Sequence, residues 1–372
     1  MALIRLGIDP TALHPDRLVD LLGPLLPERQ PPQWVHRPHG RAVAGGYART
    51  APQLFATTTD LDDCDVAVLP FSWDLVLLDP ARRGPALAFC AAAGAAGKIV
   101  LVFVDGDDHV PSPAPNAVVF RTSLDRRRRG PADVALPAWI PDPGQQAPRP
   151  YADRAVVGFC GQAYPLDLDR HRVAKRAKFY GRVALTRLGI VERIGKHPAF
   201  AIRPRVVRAL RHATEVDANI VMRSSMTRLD LDTDNEHELH AEFVRALAGC
   251  DYVLCVRGEG NYSFRIYEAL AAGRVPVYID TDAVLPLEST MPWRDLCVVV
   301  PAADARAVGG RVAQAHAALD AGAFASRQAA CRDAWVRHLS MEGFFGRVHA
   351  ELERLLGAGA PLDPAQVAAV LR

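Results

Sequence analysis

The amino-acid sequence predicts an α/β protein with two domains, each built on a parallel β-sheet. Short apolar, β-branched segments alternate with helical segments along most of the chain, and this order is typical of parallel sheets. The segment Pro141–Pro150 holds four prolines and a glycine in ten residues, which is typical of a linker between domains. With 372 residues, the chain is long enough to form a hydrophobic core on each side of this linker.

The first predicted domain comprises residues 1–150. Its helix candidate, Pro85–Ala96, is rich in alanine and lies between two of the apolar segments. Because the apolar segments are short and rich in β-branched residues, we expect them to form buried parallel strands. These strand candidates are Ile4–Ile8, Val66–Pro70, Ile99–Val104, Ala117–Phe120 and Val134–Leu136.

The second predicted domain comprises residues 151–360, and residues 361–372 are expected to form a loosely held tail. It repeats the alternation of strand and helix seen in the first domain. The strand candidates are Val156–Cys160, Asp251–Val256, Val275–Asp280 and Cys297–Val300, and the helix candidates are Glu236–Ala248, Ala305–Leu319, Ala325–Leu339 and Gly343–Leu356.

The composition is that of a soluble globular protein, with 49% hydrophobic and 23% charged residues. A formal net charge of +2 argues against a nucleic-acid partner. Seven scattered cysteines without a C-x-x-C pair predict buried free thiols in a reducing compartment and no zinc site. The N-terminus lacks a signal-peptide pattern, and no apolar run reaches ~18 residues. We therefore expect no membrane-spanning helix and a cytoplasmic protein.

The most informative segment is Cys255–Glu288, which is predicted to run from a strand through a glycine loop and a short helix into the next strand. Ser263 is a suitable N-cap, and Gly273 suits the position after the helix. In such a unit, ligands bind beyond the carboxyl ends of the strands, with phosphates at the helix N-terminus. The segment therefore predicts a site for an anionic, hydroxyl-rich ligand such as a nucleotide sugar. One helix face is expected to pack on the sheet through Phe264, Tyr267, Leu270 and Ala271.

Charged residues and backbone amides of this segment are the candidate ligand contacts. Arg257 and Arg265 are suited to neutralise a diphosphate by bidentate hydrogen bonds. Glu268 is the candidate acceptor for ribose hydroxyl groups, and Glu259 is a candidate contact for the sugar. A structural alternative stays open, because glycine-rich turns are common and Arg265 and Glu268 could form only a surface pair. The loop whose amides complete the predicted site consists of Gly258, Glu259, Gly260, Asn261, Tyr262 and Ser263.

The order of short motifs in this segment resembles the signature of the exostosin-like glycosyltransferases. One position departs from the family pattern: members often carry a cysteine after the Ala-Gly pair, where this chain has Arg274, and we expect a consequence for packing rather than chemistry. A weaker similarity covers Cys64–Pro70, Asp105–His109 and Asp133–Pro137 in the first domain and Arg154–Gly161 at the start of the second. The strong match consists of Arg257-Gly258, Gly260 to Tyr262, Ser263-Phe264-Arg265, Glu268-Ala269-Leu270, Ala272-Gly273, Pro276-Val277 and Asp280. The later Leu285-Pro286-Leu287 and Pro292-Trp293 also resemble family positions.

The resemblance implies a GT-B fold, in which two Rossmann-like domains face each other across a cleft. It places the nucleotide-sugar donor on the second domain and most acceptor contacts on the first. The expected donor is a UDP-sugar, the expected stereochemical outcome is inversion, and neither a bound metal nor another cofactor is expected. The expected acceptor is a glycan or lipid-linked glycan in bacterial surface polysaccharide or lipopolysaccharide synthesis.

Inverting transfer needs a base for the acceptor hydroxyl, and the candidates follow the strand Ile99–Val104. They are Asp105, Asp107, Asp108 and His109. Residues after the carboxyl end of a parallel strand are well placed to contact ligands. The structural alternative is a solvated turn in which the aspartates act as caps.

A basic stretch, Arg170–Arg211, holds 13 Lys and Arg residues and one acidic residue, Glu192. One interpretation is attraction to an anionic membrane surface, with a cytoplasmic protein bound peripherally at the inner membrane, or to an anionic glycan acceptor. The other is an amphipathic helix with a solvated basic face. The run Arg126–Arg129 adds to the first interpretation.

Two other functions remain open at this stage. A transferase that uses a GDP-sugar, as fucosyltransferases do, would need a similar arrangement of arginine and glutamate. A non-catalytic module that binds a nucleotide or glycan would keep the glycine loop but would not depend on the acidic residues after Ile99–Val104. Nucleotide preference and the effect of losing these acidic residues separate the three functions.

Overall fold

The computed structural model describes residues 2–13, 18–26, 45–107, 109–163, 181, 202–222 and 233–372, with the backbone alone for 233–240. The chain divides into two compact units. Unit 1 comprises Met1–Asp142, Asp282–Met291 and Trp335–Arg372, and unit 2 comprises Pro143–Thr281 and Pro292–Ala334. A division of the chain by residue contacts does not test which parts fold independently. The predicted domain boundaries therefore stay a prediction.

Unit 1 is built on a six-stranded sheet with the strand order β2-β1-β3-β4-β5-β6. All neighbouring strands pair in parallel. Every residue of β4 and β5 is buried, as expected for strands covered on both faces. The strands are β1 (Ile4–Gly7), β2 (Phe55–Thr58), β3 (Val66–Val68), β4 (Val100–Val104), β5 (Ala117–Arg121) and β6 (Asp133–Ala135).

Unit 2 is built on a five-stranded sheet with the order β11-β10-β9-β7-β8. Its strands also pair in parallel, so the predicted α/β class with two Rossmann-like sheets is confirmed. Because β7 and β9 are neighbours, their carboxyl ends lie side by side. The strands are β7 (Val156–Gly161), β8 (Asp217–Met222), β9 (Tyr252–Cys255), β10 (Val275–Asp280) and β11 (Val298–Pro301).

Helices surround both sheets. Within the described ranges, every helix is too short or too polar to span a bilayer. The helices in these ranges are α1 (Tyr47–Leu54), α2 (Arg83–Ala95), α3 (Ile202–Arg211), α4 (Thr233–Ala248), α5 (Phe264–Ala271), α6 (Trp293–Leu296), α7 (Val308–Ala317), α8 (Ala321–Ala334), α9 (Met341–Gly357) and α10 (Pro364–Val370).

The core of unit 1 is an aromatic cluster between the sheet and α9. Phe103 of β4 stacks on Phe120 of β5 with ring centroids 5.0 Å apart, and Phe344 meets Phe120 edge-on at 6.3 Å. Tyr47 of α1 packs on Phe345 at 4.9 Å. The end of the chain also packs here: α10, which lies where the sequence predicts a loose tail, buries its apolar side against β5 and β6. Large aromatic rings contribute much of the buried area in such a core.

All seven cysteines are free and buried, as the apolar runs around them predict. Burial raises the pKa of Cys90 to about 11 and that of Cys331 to about 12. Because the thiolate is the nucleophilic form, these cysteines serve as packing residues rather than reactive groups.

Arg274 is almost fully buried in unit 2, with 1% of its surface exposed. Its guanidinium donates to the carbonyl oxygens of Leu247 at 3.0 Å, Ala147 at 2.9 Å and Ala248 at 3.3 Å. It thereby satisfies carbonyl groups at the C-terminal end of α4 and ties this end to the proline-rich segment before β7. Burial lowers the pKa of Arg274, and the carbonyl dipoles compensate its charge. This residue therefore holds chain segments together, in agreement with the expected packing role.

Arg274→Cys should destabilise the protein by about 3 kcal/mol, because it removes a buried cation and leaves several buried carbonyl groups without their partner. Urea unfolding followed by circular dichroism measures this change. Arg311→Cys is the matched control, since Arg311 is half-exposed and pairs with Asp304 on the surface, where such pairs contribute at most ~1 kcal/mol. Equal losses in the two variants would contradict the assigned role of Arg274.

Candidate functional site

The loop between β9 and α5 is fixed by its own polar groups. The Gly258 N–H donates to the Tyr262 carbonyl at 3.2 Å, which closes a tight turn. Asn261 is 2% exposed, and its amide donates to the Thr281 carbonyl at 3.1 Å. The Thr281 hydroxyl donates back to the Asn261 side-chain oxygen at 2.6 Å. Asn261, predicted as a ligand contact, therefore ties the loop to the end of β10.

Helix α5 begins and ends where the sequence predicts. Ser263 is the N-cap residue with extended backbone, and within the described part of the chain its hydroxyl makes no capping hydrogen bond. Gly273 has φ +68° just after the helix, a conformation that glycine adopts without strain. Tyr267, Leu270 and Ala271 are buried as predicted. Phe264 is only half-buried, and its ring lies 5.4 Å from that of Tyr262, so it packs on the loop rather than deep under the sheet.

Arg265 and Glu268 form a close ion pair one helical turn apart, with side chains only 23% and 7% exposed. The alternative of a solvated surface pair is therefore wrong. Arg265 also donates from Nε to the Cys160 carbonyl at the end of β7, at 2.9 Å, and lies 4.5 Å from the centre of the Phe243 ring. Burial lowers the pKa of Arg265, but the charge and hydrogen bond of Glu268 raise it more, so the pKa lies above its ordinary value.

A second arginine, Arg203 at the start of α3, is fixed beside the same strand ends. It donates to the carbonyl oxygens of Gln162 at 3.2 Å and Val256 at 3.1 Å, which follow β7 and β9. Gly161, at the end of β7, lies beside Arg265, since a Cβ there would be 3.4 Å from Arg265 Nη2. Two guanidinium groups from distant parts of the sequence thus meet at the carboxyl ends of β7 and β9.

The proximity of the two arginines is electrostatically unfavourable. Burial, and then the positive charge of Arg265, lower the pKa of Arg203 to about 10. Like charges held together in a poorly solvated place favour binding of an anion that neutralises them. Arg203 and Arg265 are therefore candidates for binding an anion at the place where ligands bind in parallel α/β sheets.

The other predicted loop residues surround this arrangement. Arg257 is 8% exposed and donates to the Glu259 carbonyl at 2.9 Å, so part of its guanidinium shapes the loop. Gly258 lies beside Arg203, since a Cβ on Gly258 would be 3.5 Å from Arg203 Nη2. Glu259 is half-buried and Gly260 is buried. The loop thus brings backbone groups close to both arginines.

In unit 1, carboxylates gather after the carboxyl ends of β3 and β4. Asp105 follows β4, and its N–H donates to Ser72 Oγ at 3.0 Å. Ser72 in turn donates to the Asp74 carboxylate. The Asp105 side chain touches solvent but is densely surrounded by protein, and burial followed by the charge of Asp74 raises its pKa to about 7. Asp20 lies beside it, and burial and the charge of Asp105 raise the pKa of Asp20 well above its usual value.

Another candidate for the base, His109, stands beside different charged groups. His109 is half-buried, and burial and the charge of Arg121 lower its pKa. Arg121 forms a buried ion pair with Asp133 at 2.8 Å, so His109 stands beside structural charges. Asp107 is exposed in a turn, and Asp108 lies outside the described residues. Among the described candidates for the base, Asp105 is therefore the carboxylate whose surroundings clearly raise its pKa.

Three residues of these clusters escaped prediction. Asp74 follows a predicted strand by only a few residues, so the rule that selects Asp105 could have selected it. Arg203 belongs to the basic stretch Arg170–Arg211, and no local sequence pattern distinguishes it from the other basic residues there. Apart from 181 and 202–211, that stretch lies outside the described residues. Asp20 lies in a loop without a motif. Across the described ranges, no group of three or more His, Cys, Asp or Glu side chains is arranged to hold a metal ion.

Residues 191–315 match the model of the exostosin GT47 domain, a range that includes both Arg203 and Arg265. Over 71 residues the chain is 34% identical to "Probable glucuronosyltransferase GUT1" of Oryza sativa subsp. japonica, covering 19% of this chain and 16% of that protein. It is 35% identical over 75 residues to "Exostosin-1 homolog" of Caenorhabditis elegans, covering 20% of each chain. It is 33% identical over 75 residues to "Probable beta-1,4-xylosyltransferase IRX10" of Arabidopsis thaliana, covering 20% of this chain and 17% of that protein.

These findings confirm the resemblance to the exostosin-like family that the motif order indicates. The matched segments span no more than 20% of the length of each of these relatives. What the relatives' names say of sugars therefore applies to those proteins.

Removing the Asn261–Thr281 contact should lower the free energy of unfolding, because a buried amide loses its partner. We expect Asn261→Ala to cost about 1–3 kcal/mol. In a double-mutant cycle with Thr281→Val, the two changes should show a coupling of at least ~0.5 kcal/mol, measured by urea unfolding. If Asn261 served only as a ligand contact, its replacement would leave the stability of the ligand-free protein unchanged.

Proposed function

We propose that this protein is a glycosyltransferase that takes a sugar from a nucleoside-diphosphate donor. The observation that carries the proposal is the pair Arg203 and Arg265, held by backbone carbonyls at the carboxyl ends of β7 and β9. The family match spans both residues. A diphosphate is the leaving group of such donors, and fixed positive charges in a poorly solvated site stabilise the charge that develops on it.

The chemistry of transfer assigns a role to each part of the predicted site. The acceptor oxygen forms a bond to the anomeric carbon, and the bond from this carbon to the diphosphate breaks with its electron pair remaining on the diphosphate. Arg203 and Arg265 are proposed to bind that diphosphate, together with Arg257 and the loop amides from Gly258 to Ser263. A bidentate arginine contact suits phosphate geometry.

Recognition of the nucleoside and sugar is assigned to the acidic groups of the same unit. Glu268 is proposed to accept from the ribose hydroxyls. Glu259 is proposed to contact the sugar hydroxyls, and Tyr262 to line the loop. Glu268 then has two tasks, since it also orients Arg265.

Asp105 is the proposed general base that takes the proton of the acceptor hydroxyl. A base works best when its pKa is near the working pH, and the pKa of Asp105 is raised to about 7. Solvent reaches its side chain, so an acceptor hydroxyl can reach it too. Asp107, Asp108 and His109 remain the other proposed candidates for this base.

The finer proposals rest on the motif resemblance. They are a UDP-sugar as donor, inversion at the anomeric carbon, and charge neutralisation by arginines without a bound metal ion. The proposed acceptor is a glycan or lipid-linked glycan in bacterial surface polysaccharide or lipopolysaccharide synthesis, with transfer in the cytoplasm or at the inner membrane. Contact of Arg170–Arg211 with an anionic membrane surface is also kept as a proposal. A GDP-sugar donor and a non-catalytic binding role are outcomes of the tests below.

Nucleotide binding should be selective and should depend on both arginines. At ~100 Kd, UDP should stabilise the folded protein by about 2.7 kcal/mol, and thermal-shift titrations with UDP, GDP, CMP and ADP, with and without magnesium, measure this. Arg203→Ala and Arg265→Ala should each weaken UDP binding roughly 10- to 150-fold, the effect of losing a charge-assisted hydrogen bond of about 1.5–3 kcal/mol.

Arg205→Ala is the matched control, because Arg205 is exposed on the same helix as Arg203, and its loss should leave affinity within about twofold. Calorimetric titration well below the melting temperature of each variant separates binding from stability. A larger shift with GDP would replace the UDP-sugar donor by a GDP-sugar donor. The absence of a shift with every nucleotide, or equal affinity in all three arginine variants, would contradict the assigned site.

Asp105→Asn should lower kcat of sugar transfer by about 10²–10⁴-fold, because it removes the base while keeping the side-chain shape. The same change should raise stability at pH 8. The folded-state pKa of Asp105, about 7, lies above the usual value of about 4, so the folded protein loses stability as pH rises from about 4 to about 7. The amide carries no charge and removes this loss.

Transfer assays with radiolabelled UDP-sugars, together with thermal unfolding from pH 5 to pH 8.5, measure the two effects. In the wild-type protein, kcat/KM should rise with pH through about 7. Full transfer activity of Asp105→Asn would overturn its role as base, and unchanged stability at pH 8 would show that its surroundings do not raise its pKa.

A further inference from the structure

The Asp74 carboxylate lies against the backbone at Gly106. A Cβ on Gly106 would lie only 2.1 Å from Asp74 Oδ2, so this carboxylate occupies the space that any larger residue would fill. Ser72 fixes the arrangement, because its hydroxyl donates to Asp74 and accepts from the Asp105 N–H at 3.0 Å. One hydroxyl thus joins the segment after β3 to the segment after β4.

We infer that Asp74 is a positioning residue for sugar transfer: Ser72 holds its carboxylate beside Gly106 and next to the proposed base, Asp105. This inference rests on the proposed function, in which Asp105 takes the proton of the acceptor hydroxyl. In this role Asp74 acts through Asp105, while its carboxylate stays in contact with Ser72.

The physical reason is the repulsion between two neighbouring carboxylates. Burial contributes most to the raised pKa of Asp105, and the charge of Asp74 is the second cause, whereas the hydrogen bond with Ser72 acts in the opposite direction. A proton taken up by Asp105 removes the repulsion, so the neighbour strengthens its attraction for a proton. Without Asp74, Asp105 would be ionised over a wider pH range but would be a weaker base.

Asp20 also faces Asp105 but acts differently. Burial and the charge of Asp105 raise the pKa of Asp20 well above its usual value. The raised pKa of Asp105 has burial and the charge of Asp74 as its causes, so a change at Asp20 leaves both causes in place. Tyr47, which donates to the Leu21 carbonyl at 2.9 Å, and Trp139 stand beside Asp20. Among the described residues, Asp74, Ser72 and Asp20 face Asp105 from the surrounding elements.

The direct test is a ¹³C NMR titration of the full chain labelled at the aspartate carboxyl carbons. The Asp105 signal is assigned by its loss in Asp105→Asn. In the wild-type protein, this signal should titrate near pH 7. In Asp74→Asn, which keeps the side-chain shape, the midpoint should fall by about one pH unit, the effect of removing a nearby like charge.

Asp20→Asn is the matched control, since it makes the same carboxyl-to-amide change in the same cluster and should leave the Asp105 midpoint unchanged. Gly106→Ala is a second, geometric variant: the added methyl group displaces the Asp74 carboxylate, so the midpoint should fall as in Asp74→Asn. Adding Gly106→Ala to Asp74→Asn should give no further fall, because the charge is already gone.

The NMR result stands apart from the proposed function, because it needs no substrate. An unchanged midpoint in Asp74→Asn, or a fall in Asp20→Asn alone, would overturn the inference whether or not the protein transfers sugar. In transfer assays, the acid limb of the kcat/KM profile should move down by the same interval, with a lower plateau because the base is weaker. An NMR shift without movement of the acid limb would show that Asp74 tunes Asp105 but that Asp105 is not the base.

Discussion

The polar chemistry of both units depends on one constraint: a parallel sheet brings the carboxyl ends of its strands to a single edge. Beyond the last paired residue, the carbonyl and amide groups of these ends no longer take part in the ladder and can bind side chains. In unit 2, the carbonyl groups of Gln162 and Val256, which follow β7 and β9, hold Arg203, and that of Cys160, near the end of β7, holds Arg265. In unit 1, the amide of Asp105 holds Ser72, which holds Asp74.

Each edge keeps side chains of like charge close together, and this arrangement lowers the stability of the ligand-free fold. Arg203 and Arg265 repel each other, as do Asp74 and Asp105. The surrounding hydrogen bonds and packing hold these groups in place, as is common where function requires a charge arrangement that the fold alone would not favour. The two kinds of repulsion are relieved differently: the arginines by an anion and the carboxylates by a proton. Transfer from a diphosphate donor to a hydroxyl group involves both an anion and a proton, because the diphosphate leaves and the hydroxyl group gives up its proton.

The sequence predicts the local parts of this structure well and the long-range parts poorly. Helix α5 and strand β10 lie where the segment Cys255–Glu288 predicts them. The signals that predict them, which are helix caps, glycines and helical spacing, each involve only a few neighbouring residues. Strands β2 and β8 escape prediction since they lie at sheet edges and contain polar residues, so neither shows a buried apolar run. Arg203 lies near Arg265, and Asp20 lies near Asp105, although the residues of each pair are far apart in the chain. No local sequence pattern predicts such long-range proximity.

The contrast between two buried arginines shows what the sequence alone leaves open. Arg265 and Arg274 stand in the same motif, and both donate to backbone carbonyls. Arg274 is 1% exposed, and its guanidinium is directed at carbonyl groups from two chain segments, so its charge is compensated within the fold. Arg265 keeps 23% of its side chain exposed and pairs with Glu268, while a second cation, Arg203, stands beside it. Burial and neighbours, rather than residue type or position in a motif, separate the arginine that joins chain segments from the one suited to bind a ligand.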